Sequence, residues 1–216
     1  MSQRIILTGA TGMVGEGILL TCLAQPEVEV VLSISRRPSG HTHPKLRELL
    51  VPDFFDLAAV ENELVGYTAC FFCAGISSVG MKEAEYTRTT HDLTLHFART
   101  LLRHSPQATF VYVSGAGTNA DGGQMWARVK GRTENELLAL PFARAVMFRP
   151  GVMLPVSGQR HDSYRALTWL GRWLRPVLPR YICTMREVGL AMLNAARRGA
   201  PQPVLEVPGI VRLAAG

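Results

Sequence analysis

Residues 4–17, RIILTGATGMVGEG, constrain the fold more than any other stretch of the chain. A short apolar run (RIILT, 4–8) leads at once into Gly9, Gly12 and Gly15, and then into a helical pattern. Glycines at this spacing permit a tight turn at Gly9, close approach of a ligand to the backbone at Gly12, and close helix–strand packing at Gly15. A helix start also carries N–H groups with no partner inside the helix, which suit phosphate oxygens. The stretch therefore predicts a nucleotide-binding turn in which Gly9, Thr11, Gly12, Met13, Val14 and Gly15 meet a diphosphate. The plain alternative is a structural turn.

The rest of the chain continues the rhythm. Strand candidates are 4–8, 28–35, 49–54, 68–75, 108–114 and 143–150, with a short late one at 204–207. Helix candidates lie at about 13–25, 56–65, 82–104, 125–139, 162–175 and 185–198. The first strands read as continuous apolar runs, as in a parallel sheet buried on both faces. Alternation of this kind predicts an α/β, Rossmann-like, doubly wound parallel sheet with helices on both faces. At 216 residues the chain is expected to form a single NAD(P)-binding domain over 1–216.

Residues 152–182 are long for a connection and carry Arg160, His161, Tyr164, Trp169, Trp173 and Tyr181. They are expected to form a small C-terminal lobe on the substrate side of the sheet. Within them Leu167, Leu170 and Leu174 share a helical face, opposite Arg165, Arg172 and Arg175, until Pro176 ends the helix. That stripe suits packing on the domain, a substrate wall or dimer contact, or adsorption to a membrane surface. Between Arg144 and Arg198 there are ten Arg, no Lys and only two acids, Asp162 and Glu187. The excess suits an anionic partner or a solvated basic face.

Other classes are excluded by what is missing. No apolar run approaches the roughly 20 residues of a membrane span, and the first residues enter a strand directly, without a signal-peptide pattern. Cys22, Cys70, Cys73 and Cys183 make no disulfide framework, and Cys70 and Cys73 sit on opposite faces of one strand. The six His show no metal-site spacing, so no metal is expected; HTH at 41–43 reads as a solvated loop. No basic patch interleaved with aromatics marks a nucleic-acid fold. These features place the protein in the cytoplasm, as a monomer or homodimer acting on a small molecule.

Cofactor choice is read from the end of the second strand. NAD binders place Asp or Glu there for the ribose 2′-hydroxyl; this chain has Arg36 and Arg37. A carboxylate repels a 2′-phosphate, whereas a guanidinium grips it with paired charged hydrogen bonds. NADP(H) is therefore expected ahead of NAD(H).

The chemistry turns on QMWARVKGRTE (124–134), which follows Ser114 at a strand end. Lys130 stands four residues after an aromatic, a spacing used for proton relays, but the aromatic is Trp126. Read without context, Lys130 is a cofactor ligand or a solvated helix residue, and Trp126 a packing residue or a wall of the cleft.

Taken together, TGATGMVG, the Arg pair, PDFFDL, CAG at 73–75, SGAG at 114–117, VKGRTE at 129–134 and FRPG at 148–151 resemble the atypical and extended short-chain dehydrogenases/reductases. Within them the chain resembles the NAD-dependent epimerase/dehydratase-like branch, and it is similar to bacterial relatives of the NADPH-binding regulator TIP30 (CC3). The resemblance implies that Asp53 and Phe54 contact adenine, Ala74 and Gly75 pass behind the ribose, Lys130 holds the nicotinamide ribose, and Pro150 and Gly151 lie near the nicotinamide. Ser114 would orient a substrate carbonyl or hydroxyl.

Active members have Tyr where this chain has Trp126. An indole N–H can donate a hydrogen bond but does not titrate near neutral pH. The expected function is an oxidoreductase or epimerase-like enzyme on a small carbonyl or hydroxyl substrate, with an altered relay. Tyr164, Tyr181, Tyr112, a water or Ser114 are the candidates for the missing acid. The alternative is an NADPH-binding regulatory or sensor protein without turnover.

Overall fold

A computed structural model describes residues 2–160 and 173–216. Its centre is a seven-stranded, wholly parallel sheet formed by β1 (Gln3–Thr8), β2 (Val28–Ser35), β3 (Leu46–Leu50), β4 (Ala69–Phe72), β5 (Thr109–Val113), β6 (Arg144–Arg149) and β9 (Val204–Glu206). The spatial order is β3-β2-β1-β4-β5-β6-β9. Two strands of three residues, β7 (Val152–Leu154) and β8 (Ile182–Thr184), pair in parallel apart from it.

Strand side chains alternate between two cores. Ile5, Leu7, Phe71, Val111 and Phe148 face one core with helices α1 (Met13–Leu23), α5 (Met185–Arg198) and α6 (Val207–Ala215). Ile6, Cys70, Phe72, Phe110, Tyr112 and Met147 face the other, with α3 (Leu93–His104) and α4 (Met125–Ala139). Cys70 and Cys73 fall on opposite sides, as their spacing requires. Thr184 caps α5 through a reciprocal pair: its hydroxyl accepts from the Glu187 amide, and the Glu187 carboxylate accepts from the Thr184 amide.

Strand order reverses between β1 and β4, because chain order runs outward from β1 on one side and from β4 on the other. In open α/β sheets the crevice at such a reversal is the ligand site. Here it is built from the turn after β1 and the segment after β4.

Several expected elements differ. The third strand ends at Leu50, before Pro52, which has no N–H for the ladder, and Asp53 turns the chain by accepting from the Phe55 amide. The helix expected at 56–65 is only a 3-10 turn at Glu61–Leu64, closed by Gly66 at φ 81°. The helix expected at 82–104 is α2 (Glu83–Thr87), a π-helical turn (Arg88–Asp92) and α3. His41, expected to be solvated, is largely buried against the Glu16 carboxylate at 2.8 Å. Tyr164 and most of the expected 162–175 helix lie outside the described residues.

Candidate functional site: a dinucleotide cleft and its catalytic end

The turn after β1 has the shape its glycines allow. Gly9 takes φ 72°, and a Cβ there would meet the Cys73 carbonyl and the Ala74 amide at 2.7 Å. A Cβ on Gly15 would lie 2.1 Å from the Gly9 oxygen, so only glycine lets α1 start this close to the turn. Gly12 differs: its nearest neighbour would be the Gly9 oxygen at 3.4 Å, an ordinary contact. Its Cα side therefore faces space instead of protein. Gly12 caps α1 without a side-chain bond, which leaves the amides of the first helical turn, including Met13 and Val14, to a ligand. Thr8 locks the crevice, its hydroxyl accepting from the Cys73 and Ala74 amides at 3.1 Å each.

Two adjoining cavities fill the crevice. The first, about 270 Å³, is lined by Gly9, Thr11, Gly12, Arg36 and Ala74 among others. The second, about 190 Å³, includes Asp53, Phe54, Phe55, Ile76, Thr89 and Leu93. Arg36, Phe54, Ala74 and Gly75 line both. A channel that runs from a helix N-terminus to a mainly apolar slot fits a diphosphate joined to a nucleoside. Arg37 is exposed on the same loop, its carbonyl accepting from the Ser35 hydroxyl at 2.6 Å, and it lines neither cavity.

The residues expected to act on a substrate gather at the end of β5. Ser114 is buried at the end of β5, its hydroxyl 3.0 Å from that of Thr118, which donates to the Gly115 carbonyl at 2.8 Å. The β5 end is tied to β6 where the Ser114 amide donates to the Phe148 carbonyl and the Ala116 amide to the Pro150 carbonyl. Lys130 reaches from α4 to the Ser114 carbonyl at 3.1 Å and the Val113 carbonyl at 3.4 Å, over the Tyr112 ring. Desolvation pulls the Lys130 ammonium down to about 8, partly offset by Glu134. The six-membered ring of Trp126 runs along the SGAG turn: a Cβ on Gly117 would lie 3.6 Å from it. Gly151 packs against the Tyr181 carbonyl.

Ser114, Trp126, Lys130 and Pro150 are thus brought together around the end of β5, and none of them lines either cavity. Tyr112 is not available there as an acid. It is 2 % exposed among Phe72 and its neighbours, and burial raises its phenol far above the ordinary tyrosine range. Tyr181 is exposed at the start of β8. Glu134 entered the sequence reading only as the end of VKGRTE and Arg149 only within FRPG, neither with a role of its own. The buried Glu134 carboxylate takes Nε of Arg149 at 3.0 Å and Nη2 at 2.5 Å, so α4 and the end of β6 are clamped beside the site. Part of the Arg excess is consumed in such internal pairs, with Arg175 bound to Glu187 as a second case. Thr89 and Leu93, which line the second cavity from the segment that includes α3, carried no local signal either.

Comparison with known proteins agrees with this geometry. The family model for the NAD dependent epimerase/dehydratase family matches residues 5–143. "Protein fmp52, mitochondrial" of Aspergillus fumigatus is 34% identical over 167 residues, 74% of this chain and 69% of that one. The protein of the same name from Emericella nidulans is 31% identical, over 74% of this chain and 70% of that one. Among solved structures, a short chain dehydrogenase from Burkholderia cenocepacia in complex with NADP superposes with TM-score 0.68 at 16% identity, covering 100% of this chain and 93% of that one. Uronate dehydrogenase from Agrobacterium tumefaciens gives 0.68 at 17% identity, over 94% and 76%.

The cytoplasmic placement expected from the sequence is overturned, because these fungal relatives are mitochondrial proteins by name. Free cysteines mark a reducing compartment, which does not single out the cytoplasm. No helix among the described residues is long and apolar enough to cross a membrane. With its parallel sheet, glycine turn and family match over residues 5–143, the chain belongs to the NAD-dependent epimerase/dehydratase family.

Proposed function

We propose that this chain is an NADP(H)-using oxidoreductase or epimerase-like enzyme for a small carbonyl or hydroxyl substrate, with a proton relay that does not use the usual Tyr. The observation that carries the cofactor choice is Arg36, which lines both cavities where NAD binders present an acid. Gly9, Thr11, Gly12, Met13, Val14 and Gly15 would hold the diphosphate, Arg36 and Arg37 the 2′-phosphate, and Asp53 and Phe54 the adenine. Ala74, Gly75, Lys130, Pro150 and Gly151 would hold the rest. When bound, the nicotinamide supplies or accepts hydride.

Ser114 would orient the substrate oxygen, with its own hydroxyl held by Thr118. Lys130 would place a positive charge beneath that oxygen, and Trp126 would wall the cleft and donate a hydrogen bond. Residues 152–182 would form the substrate-side lobe. Support for this is that β7 follows Gly151 directly and that the carbonyl of the exposed Tyr181 accepts from the Val152 amide. Tyr164 is the candidate replacement acid within that lobe.

Titration of NADPH and NADH followed by fluorescence tests the cofactor assignment. NADPH is expected to bind more tightly, and Arg36→Ala to weaken NADPH far more than NADH; equal affinities in the parent protein refute it. Oxidation of NADPH is then followed with a panel of aldehydes, ketones and quinones. Turnover that is lost in Tyr164→Phe but kept in Trp126→Phe supports the altered relay.

Trp126, which has no titratable proton, and Lys130, which is turned onto backbone carbonyls, favour a second reading: an NADPH-binding regulatory protein. Tight NADPH binding without oxidation by any of the panel selects it.

A further inference from the structure

Residues 156–160 lie as a strap across the start of α1 and the loop after β2. Gln159 makes the first anchor, its amide donating to the Met13 carbonyl at 2.7 Å while its oxygen accepts from the Val156 amide at 2.8 Å. The Arg160 amide makes the second, donating to Glu16 Oε1 at 2.9 Å. That same oxygen meets His41 Nε2 at 2.8 Å. Glu16 is 2 % exposed in the first turn of α1, so a buried carboxylate ties the strap to both the glycine turn and the 39–41 loop.

These anchors use the strap's backbone and Gln159, which leaves the Arg160 guanidinium to lie on the loop. Nη1 donates to the Ser39 carbonyl at 3.4 Å and sits over Gly40, where a Cβ would come within 1.6 Å of it. Ser39 and Gly40 directly follow Arg36, Arg37 and Pro38. Arg160 is exposed, and among the described residues no carboxylate pairs with its guanidinium. Three arginines from two distant parts of the chain thus converge on one five-residue loop.

We infer that Arg160 is a specificity-determining residue, a third guanidinium that recognises the 2′-phosphate of an NADP-type dinucleotide together with Arg36 and Arg37. The inference rests on the NADP(H) reading above. A phosphate dianion on that loop gains a charged donor whose backbone is already fixed, so less ordering entropy opposes the contact. The strap's anchors on α1 would hold the clasp and the diphosphate cradle in one frame.

The test is fluorescence titration of NADPH and NADH against the full chain and its Arg160→Ala, Arg160→Lys and Arg36→Ala variants, each checked by thermal melting. Arg160→Ala is expected to raise the NADPH dissociation constant about tenfold and to leave NADH within about twofold; Arg160→Lys should fall between. An unchanged NADPH-to-NADH ratio in Arg160→Ala, or an equal loss for both, overturns the inference while a parent preference for NADPH upholds the cofactor reading. A parent protein without that preference overturns both. If Arg160→Ala does not fold, the ratio in Arg160→Lys decides: a fall supports the inference and no change refutes it.

Discussion

Replacing Arg149 with Met should destabilise the protein more than the loss of a surface arginine can explain. The Glu134 carboxylate has 2% of its side-chain surface exposed and Arg149 22%, and the two share three hydrogen bonds between α4 and the end of β6. Arg149→Met leaves that carboxylate buried without its guanidinium. Breaking a buried pair from one side costs roughly 3–5 kcal/mol. The second partner, Glu206, is half exposed and 3.3 Å away, so its share is small, about 0–1 kcal/mol. For a chain of this size each kcal/mol shifts Tm by about 2–4 °C, so a fall of at least about 6 °C is expected.

The double variant Glu134→Gln/Arg149→Met should recover much of the loss, because the stranded charge is gone. Calorimetric melts of the parent, both single variants and the double variant form the cycle. A melting point for Arg149→Met within about 2 °C of the parent would refute the reasoning, as would a double variant no more stable than that single variant. Either result would show that water reaches Glu134 or that the carboxylate finds another cation.

Three further outcomes check the site. Gly12→Ala should fold with near-parent stability, since its Cβ meets only an ordinary contact, yet lose nicotinamide dinucleotide binding by calorimetry; Gly15→Ala, whose Cβ would strike the Gly9 carbonyl at 2.1 Å, should lose about 1–3 kcal/mol or more in chemical denaturation. Lys130 is held down to about 8 against an ordinary 10.5, so above pH 8 the unfolded chain binds more protons and stability from this residue rises with pH towards 10.5. Denaturation curves across that range should show a rise that Lys130→Met flattens.

The order of apolar runs was enough to derive the parallel sheet, and the glycine turn and Arg36 lie in its crevice, whereas Asp53, Phe54, Ala74 and Gly75, which line the same cavities, were indicated by the family resemblance. Each of these signals is local: a period of two or 3.6, a missing Cβ, a charge at a strand end. Strands β1, β2, β4, β5 and β6 and helices α1, α4 and α5 fall close to the expected ranges for that reason. The edge strand β3 slipped because LRELL has only one neighbour to choose its register, Val31–Ser35 of β2. Helix α6 is not among the expected helices; Pro208 serves at its start and Ile210 seals the core.

What tertiary structure alone decided is long-range. β7 and β8 are strands only because residues thirty positions apart, such as Val152 and Ile182, pair with each other. Tyr112 reads as a candidate acid until the Phe72 and Phe110 side of the sheet closes over it. The pairing of Glu134 with Arg149 exists only because α4 packs beside the end of β6. Burial, distance between remote segments and the desolvation that follows are properties of the packed chain, and no window of sequence contains them.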